Sequence, residues 1–201
     1  MERLLSFLIG YGFGSFLTAT LVARVCQGCS IREIGSGNPG MANVMSHVGV
    51  KAGLWVLFGD FLKTGLALIV AFLCLGYEIG NASLWYAGLG AIFGHNFPWW
   101  NRFRGGKGVT VTCTWLMVIL PGWGLLVCVI GGVLTILTGY LPLGAVVIPL
   151  LALPFAYAMG KEVFLVVLLS AAVMISRHYR GMGRIFRGEE ERKFRKRNRI
   201  S

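Results

Sequence analysis

Residues 52–75 read A-G-L-W-V-L-F-G-D-F-L-K-T-G-L-A-L-I-V-A-F-L-C-L, an apolar stretch whose only charged residues are Asp60 and Lys63. A helix needs about 20 residues to cross a bilayer core of about 30 Å, so this stretch predicts a transmembrane helix. Asp60 and Lys63 are three residues apart, which puts them on one helical face where they can neutralise each other. A charge pair in lipid indicates either a functional site or internal bracing, and both interpretations stay open.

The composition of the whole chain also indicates a membrane protein. Of its 201 residues 56% are hydrophobic and 13% are charged, and the mean hydropathy is +0.71, which leaves too little polar surface for a soluble globule. The net charge of +11 does not indicate a nucleic-acid partner, because the basic residues lie in the gaps between apolar runs. Five cysteines imply no disulfide framework, and Cys26-x-x-Cys29 has no further ligands nearby, so neither a metal nor another cofactor is predicted.

The apolar runs predict seven transmembrane helices. They cover residues 4–22, 52–75, 84–97 and 109–176, and glycine and proline divide the last run near residues 121–122, 138–142 and 160–162. Between them lie basic zones at residues 24–51 and 98–108 and from residue 177 to the end, which together carry 16 of the 19 Lys and Arg residues. The positive-inside rule therefore predicts an outside N-terminus and a cytoplasmic C-terminus. We expect one membrane domain over residues 1–188 and a basic tail over residues 189–201 that attracts anionic membrane lipid.

The first of three unusual polar segments is G-S-G-N-P-G-M-A-N at residues 35–43. Its glycines allow φ > 0, so the backbone can turn its N–H groups towards an anion. Ser36, Asn38 and Asn43 add polar side chains. An ordinary flexible loop explains this segment equally well when it is taken alone.

The second segment, residues 94–108, sets Arg104 and Lys107 in a glycine turn that opens the next helix. A helix N-terminus and two cations favour a phosphate group. The spacing is not that of a nucleotide-binding loop, so ATP is not implied. The alternative is a positive-inside turn flanked by aromatic residues at the membrane interface.

The third segment is Arg177-His178 at the end of the last apolar run. His178 can shuttle a proton or bind phosphate, because an ordinary imidazole pKa permits either charge state, although a lone histidine is more often structural. All three segments are predicted on the same membrane face. Their convergence favours a site for an anion.

Together, the segments G-S-G-N-P-G-M-A-N-V (35–44), G-H-N-F-P-W-W-N-R-F-R-G-G-K-G-V (94–109) and R-H (177–178) resemble the three cytoplasmic motifs of the bacterial acyl-phosphate:glycerol-3-phosphate acyltransferases. The resemblance implies a seven-helix enzyme of the bacterial plasma membrane with its active site on the cytoplasmic face. Such an enzyme transfers a fatty acyl group from acyl phosphate to the 1-hydroxyl of glycerol 3-phosphate, and it releases lysophosphatidic acid and inorganic phosphate.

The resemblance also implies roles for individual residues. The expected catalytic residues are Ser36, Asn38, Asn43, Lys107 and His178. The expected substrate-binding residues are Gly37, Gly40, Lys63, His95, Arg104, Gly105, Gly106 and Arg177. The acyl chain is expected in a groove between helices that opens to the bilayer.

Three positions depart from the family pattern. Ala42 replaces a usual threonine, Ser46 a usual arginine and Gly181 a usual asparagine, so polar contacts to the substrates are lost. We therefore expect either the usual reaction at a lower rate or a different phosphorylated acceptor. The alternatives are an inactive scaffold of lipid synthesis and a small transporter of a phosphorylated metabolite that uses Asp60 and Lys63.

Overall fold

The computed structural model of this chain describes residues 1–192, and the end of the predicted basic tail, residues 193–201, lies outside the described residues. Residues 1–192 form helices joined by turns, with no β-strand among them, so the predicted all-α class is confirmed. The chain divides into two compact units, Met1–Ile119 and a second that begins at Leu120. A single membrane domain over residues 1–188 stays a prediction.

Most helices follow the predicted apolar runs, but the first run is divided between two helices and one short helix lies in the first basic zone. The first unit contains α1 (Glu2–Gly14), α2 (Thr18–Gln27), α3 (Met41–His47), α4 (Val50–Ile79), α5 (Ala82–Asn96) and α6 (Val109–Ile119). The second unit contains α7 (Trp123–Thr138), α8 (Leu141–Met159) and α9 (Lys161–Phe186). All three predicted breaks within residues 109–176 are confirmed, because each falls between two of these helices.

Four helical segments within residues 1–192 are long and apolar enough to cross a bilayer. They are α1 together with α2 (Glu2–Gln27), α4, α8 and α9, while α6 and α7 are shorter apolar helices. Many large apolar side chains on these helices are exposed, such as Leu73 and Leu137, as expected of surfaces that face lipid.

The first span is broken in its middle. The hydroxyl of Ser15 donates to the carbonyl of Tyr11 at 2.7 Å, a bond of the kind that bends helices, and α2 restarts at Thr18. The break releases backbone carbonyls inside the bundle. The indole of Trp100 donates to the carbonyl of Ser15 at 2.8 Å, and the ammonium of Lys63 donates to the carbonyl of Phe16 at 2.7 Å. These contacts tie the break to the second glycine segment and to α4.

Close packing of α1 on α5 depends on two G-x-x-x-G patterns. Gly10 and Gly14 of α1 lie against α5, and Gly90 and Gly94 of α5 lie against α1, so tightly that a Cβ on any of them would overlap the backbone of the partner helix. Small residues at this spacing let membrane helices approach closely. The contact brings the C-terminal end of α5, with His95, next to the break in the first span.

Candidate active site

The first glycine segment forms a tight turn ahead of α3. Gly35 and Gly37 have φ of +51° and +67°, a conformation that residues with a Cβ rarely adopt. The amide of Gly37 donates to the carbonyl of Ile34 at 2.9 Å and closes the turn. Ser36 lies between the two glycines and is exposed. Its hydroxyl is therefore accessible to a substrate.

Asn43 holds this turn on α3 with both ends of its side-chain amide. Its Oδ1 accepts from the backbone N–H of Ser36 at 3.0 Å, and its Nδ2 donates to the carbonyl of Ile34 at 2.8 Å. The Asn43 side chain is buried. The structure thus makes Asn43 a residue that positions Ser36, and its predicted catalytic role stays a prediction.

Asn38 and Gly40 lead from the turn into α3. The amide of Gly40 donates to the carbonyl of Asn38 at 2.9 Å. The backbone of Gly40 is extended, with φ of −147°, and would accept any residue, but a Cβ there would lie 3.0 Å from Nδ2 of Asn38. Glycine at this position therefore keeps room for the Asn38 amide.

The second glycine segment packs closely on the end of α5. Gly105 donates its amide to the carbonyl of Asn96 at 3.0 Å, and Gly106 donates to the carbonyl of His95 at 2.9 Å. A Cβ at Gly105 would overlap these carbonyls, and one at Gly106 would overlap the His95 imidazole. Only glycine fits at these two positions, because the chain approaches α5 so closely. The half-buried Lys107 follows them directly.

The turn ahead of these glycines is strained. Arg102 and Phe103 have φ of +52° and +57°, which is uncommon for residues other than glycine. The amide of Arg104 donates to the carbonyl of Asn101 at 3.0 Å, and the Asn101 side chain donates to the carbonyl of Arg104 at 2.6 Å. These bonds hold Arg104 in place while its side chain remains exposed.

Arg32 joins the two glycine segments. Its guanidinium donates through Nη1 to the carbonyl of Gly37 at 3.2 Å and through Nη2 to the carbonyl of Arg104. A planar guanidinium can bridge two acceptors in a fixed geometry. The first and second segments are thereby brought side by side within the first unit.

The bridge also concentrates positive charge. Partial burial of the largely exposed Arg32 side chain lowers the pKa of its guanidinium below the ordinary value, and the neighbouring Arg104 charge lowers that pKa further. The guanidinium stays charged at neutral pH because an arginine pKa starts so high. The amides of Ser36, Gly37, Gly105 and Gly106 already donate within the protein. The two adjacent cations, Arg32 and Arg104, are therefore the groups that favour an anion such as phosphate.

A buried network lies behind the second segment. Lys63 Nζ is 2.8 Å from Asp60 Oδ1 and 2.9 Å from His95 Nδ1, so the predicted pairing of Lys63 with Asp60 is confirmed. Thr18 of α2 donates its hydroxyl to Asp60 Oδ1 at 3.1 Å. All four side chains are buried, and the charges are compensated within the helices.

An apolar groove of about 660 Å³ runs between α1 and α4. Leu8 and Phe13 contribute to its α1 side and Leu62 and Val70 to its α4 side, and Lys63 is its charged residue. The groove extends along α4 from Gly59 to Val70, roughly 16 Å at the rise of a helix. It is large and apolar enough to hold part of a lipid chain.

Arg177 and His178 lie on α9, in the second unit. His178 is buried, and its Nδ1 lies 3.0 Å from the carbonyl of Met174 one turn earlier. Arg177 is half-buried. Their predicted roles beside the other two segments stay predictions.

Two contributors to the site were missed by sequence reasoning. In the sequence analysis Arg32 was only one of the basic residues that predict the cytoplasmic face. Trp100 was only one of the aromatic residues expected at the membrane interface. A basic residue just before a glycine turn was the available signal for Arg32. The bond from Trp100 to the broken first span had no signal in the sequence, because the break itself was not predicted.

The chain is similar in sequence to known proteins. The sequence model of the glycerol-3-phosphate acyltransferase family matches residues 4–188. Glycerol-3-phosphate acyltransferase 1 of Lactobacillus johnsonii is 35% identical over 202 residues, which cover 96% of this chain and 93% of the relative. Glycerol-3-phosphate acyltransferase of a Thermoanaerobacter species is 30% identical over 194 residues, which cover 96% of each chain.

The fold is also similar to that of a solved relative. The crystal structure of PlsY, an integral membrane glycerol 3-phosphate acyltransferase, in its glycerol 3-phosphate form matches with a TM-score of 0.83 at 26% identity, over 96% of each chain. The lysophosphatidic acid form of PlsY matches with a TM-score of 0.82. From the match over nearly its whole length and these relatives, the chain belongs to the glycerol-3-phosphate acyltransferase family.

Proposed function

We propose that this protein transfers a fatty acyl group from acyl phosphate to the 1-hydroxyl of glycerol 3-phosphate, with lysophosphatidic acid and inorganic phosphate as products. The observation that carries the proposal is the Arg32 bridge, which holds the two glycine turns together through the carbonyls of Gly37 and Arg104. Both substrates carry phosphate, and the relatives in the family are glycerol-3-phosphate acyltransferases. The function follows from combining that chemistry with the adjacent lipid-sized groove.

The reaction forms one ester bond and breaks one acyl–phosphate bond. The 1-hydroxyl oxygen attacks the acyl carbonyl carbon, the phosphate leaves with the bonding electrons, and the hydroxyl proton is lost to the phosphate or to water. Because an acyl phosphate is already activated, the site has to align the two groups and stabilise the developing negative charge rather than supply a strong base.

The predicted residues divide this work. We assign the first segment to the region of the reacting carbonyl and phosphate, through Ser36, Asn38, Asn43 and the backbone of Gly37 and Gly40. The phosphate clamp is assigned to the second segment, with Arg104, Gly105, Gly106 and Lys107. Arg177 and His178 are assigned to the closing of the site from α9.

The acyl chain is assigned to the groove between α1 and α4. Its apolar walls suit a hydrocarbon chain, and the predicted substrate-binding residue Lys63 lies on it with His95 as a neighbour. Because His95 contacts Gly106, the groove lies close to the proposed phosphate clamp. If the carbonyl of the acyl phosphate is held near the phosphate clamp, its hydrocarbon chain lies in the apolar groove.

The proposed topology has seven transmembrane helices, an outside N-terminus and a cytoplasmic C-terminus in a bacterial plasma membrane. In this topology the four long apolar segments would be four of the spans, and the shorter helices α5, α6 and α7 would be the other three. The clustering of Lys and Arg in three loop zones supports the orientation. The site then faces the cytoplasm.

The test is phosphate release by the purified protein in detergent or lipidic mesophase, supplied with palmitoyl phosphate and glycerol 3-phosphate. We expect release that depends on glycerol 3-phosphate and is lost in Lys107→Ala. Lys51→Ala is a matched control, because this exposed lysine at the start of α4 has no assigned role. Release no greater in the wild type than in Lys107→Ala would reject the proposed reaction.

A different phosphorylated acceptor is the second candidate, and the three departures from the family pattern favour it. Ser46 is exposed on α3, so an arginine fits there, whereas a Cβ at Gly181 would lie 2.7 Å from Cγ of Pro142. The test is acyl transfer to a panel of phosphorylated alcohols by the wild type and by Ala42→Thr/Ser46→Arg. A shift of preference towards glycerol 3-phosphate supports a retuned enzyme, while activity only in the double variant indicates a scaffold.

A further inference from the structure

The ammonium of Lys63 lies within hydrogen-bonding distance of three polar groups inside the first unit. They are the carboxylate of Asp60, the carbonyl of Phe16 and Nδ1 of His95, at 2.8, 2.7 and 2.9 Å. An ammonium has three protons, so it has one donor for each of these three groups. Although Lys63 lies on the apolar groove, its charged group is directed into the protein.

This count of donors determines which nitrogen of His95 carries the ring proton. The Asp60 carboxylate and the Phe16 carbonyl can only accept, so the remaining proton of Lys63 goes to Nδ1 of His95. Nδ1 must then have no proton of its own. A neutral His95 ring therefore carries its proton on Nε2.

Nε2 of His95 faces the second glycine segment. A Cβ built on Gly106 would overlap the imidazole, with Nε2 as its nearest atom, and the Gly106 amide donates to the His95 carbonyl at 2.9 Å. The ring and the backbone of His95 thus both support the turn that carries Lys107. A change in the orientation of the ring would shift Gly106.

We propose that Lys63 is a positioning residue that acts on the second glycine segment through His95 and does not itself bind substrate. It holds His95 as the Nε2-protonated tautomer with the ring against Gly106, and this keeps Lys107 directed at phosphate. The inference revises the substrate-binding role predicted for Lys63. Its effect on activity rests on the proposed acyl transfer, while the state of the ring can be tested separately.

The first test is nitrogen-15 NMR of the protein labelled in histidine, with His95→Gln to assign the His95 signals. In the wild type we expect a protonated Nε2 and an unprotonated Nδ1. Lys63→Met alone would leave Asp60 buried without its partner, so Asp60→Asn/Lys63→Met is used to remove both charges together. In that variant we expect the single tautomer to be lost. A protonated Nδ1 in the wild type, or an unchanged tautomer in the variant, would overturn the proposal.

The second test is a double-mutant cycle on acyl transfer. Asp60→Asn/Lys63→Met should lower the rate at least about tenfold, the effect of one charge-assisted hydrogen bond. If Lys63 acts through His95, the same pair of changes should cost less than about threefold when His95→Gln is already present. Losses that multiply independently would show that Lys63 acts on substrate directly. If the wild type transferred no acyl group, the proposed function would fail, and the NMR result would still decide the role of Lys63 in setting the tautomer.

Discussion

Replacing Arg32 with glutamine should separate the two glycine segments. The change removes two charge-assisted hydrogen bonds, to the carbonyls of Gly37 and Arg104. Bonds to a charged group contribute about 1.5–3 kcal/mol each when buried, and because Arg32 is exposed we discount the pair to about 1–2 kcal/mol. If that energy holds the site in its working geometry, kcat/KM should fall roughly 5- to 30-fold.

The assay is phosphate release from palmitoyl phosphate with glycerol 3-phosphate varied, so that kcat and KM are measured separately. Arg32→Lys keeps the charge but cannot bridge two acceptors with a planar fork, and we expect it to behave more like the glutamine variant than like the wild type. Arg24→Gln, an exposed arginine near the end of α2, is the control for loss of one positive charge. Wild-type kinetics in Arg32→Lys would show that the bridge is unnecessary and that only the charge matters.

Three further substitutions test other parts of the site. Gly106→Ala should reduce the rate of acyl transfer more than tenfold, because the added Cβ overlaps the His95 ring. The control Gly65→Ala adds a Cβ in open space and should keep the wild-type rate. Similar rates in the two variants would contradict the close packing of Gly106 on His95. Gly12→Leu should shift the preference towards shorter acyl phosphates, because Gly12 lines the groove with open space beside it, which the leucine side chain would fill. An unchanged preference for chain length would exclude this groove as the acyl-chain site. Asn43→Ala should lower the free energy of unfolding by about 1–3 kcal/mol, seen as a lower Tm, because it leaves the backbone N–H of Ser36 without its partner and removes one of the two bonds to the carbonyl of Ile34. An unchanged Tm would contradict the role of Asn43 in the turn.

Helix boundaries in the second half of the chain followed from local sequence. Proline and glycine near residues 121–122, 138–142 and 160–162 interrupt helices through their own backbone preferences, so each break could be read from a few residues. The pairing of Asp60 with Lys63 was equally local, since it depends only on helical spacing.

The break in the first span could not be predicted in the same way. Residues 4–22 contain no charged residue and no proline that would indicate a break. The released carbonyls of Ser15 and Phe16 accept from Trp100 and Lys63, which are distant in sequence. The Arg32 bridge could not be predicted either, because it depends on contact between two loops that are distant in sequence. Contacts of this kind position the candidate site, and local sequence gives no indication of them.

The central claim is that the two glycine segments form one phosphate site. The most direct measurement is a crystal structure of this protein grown in lipidic mesophase with glycerol 3-phosphate bound. We predict the phosphate within hydrogen-bonding distance, about 2.7–3.2 Å, of donors from both residues 35–43 and residues 104–107. A phosphate bound away from either segment, with both turns unchanged, would contradict the claim.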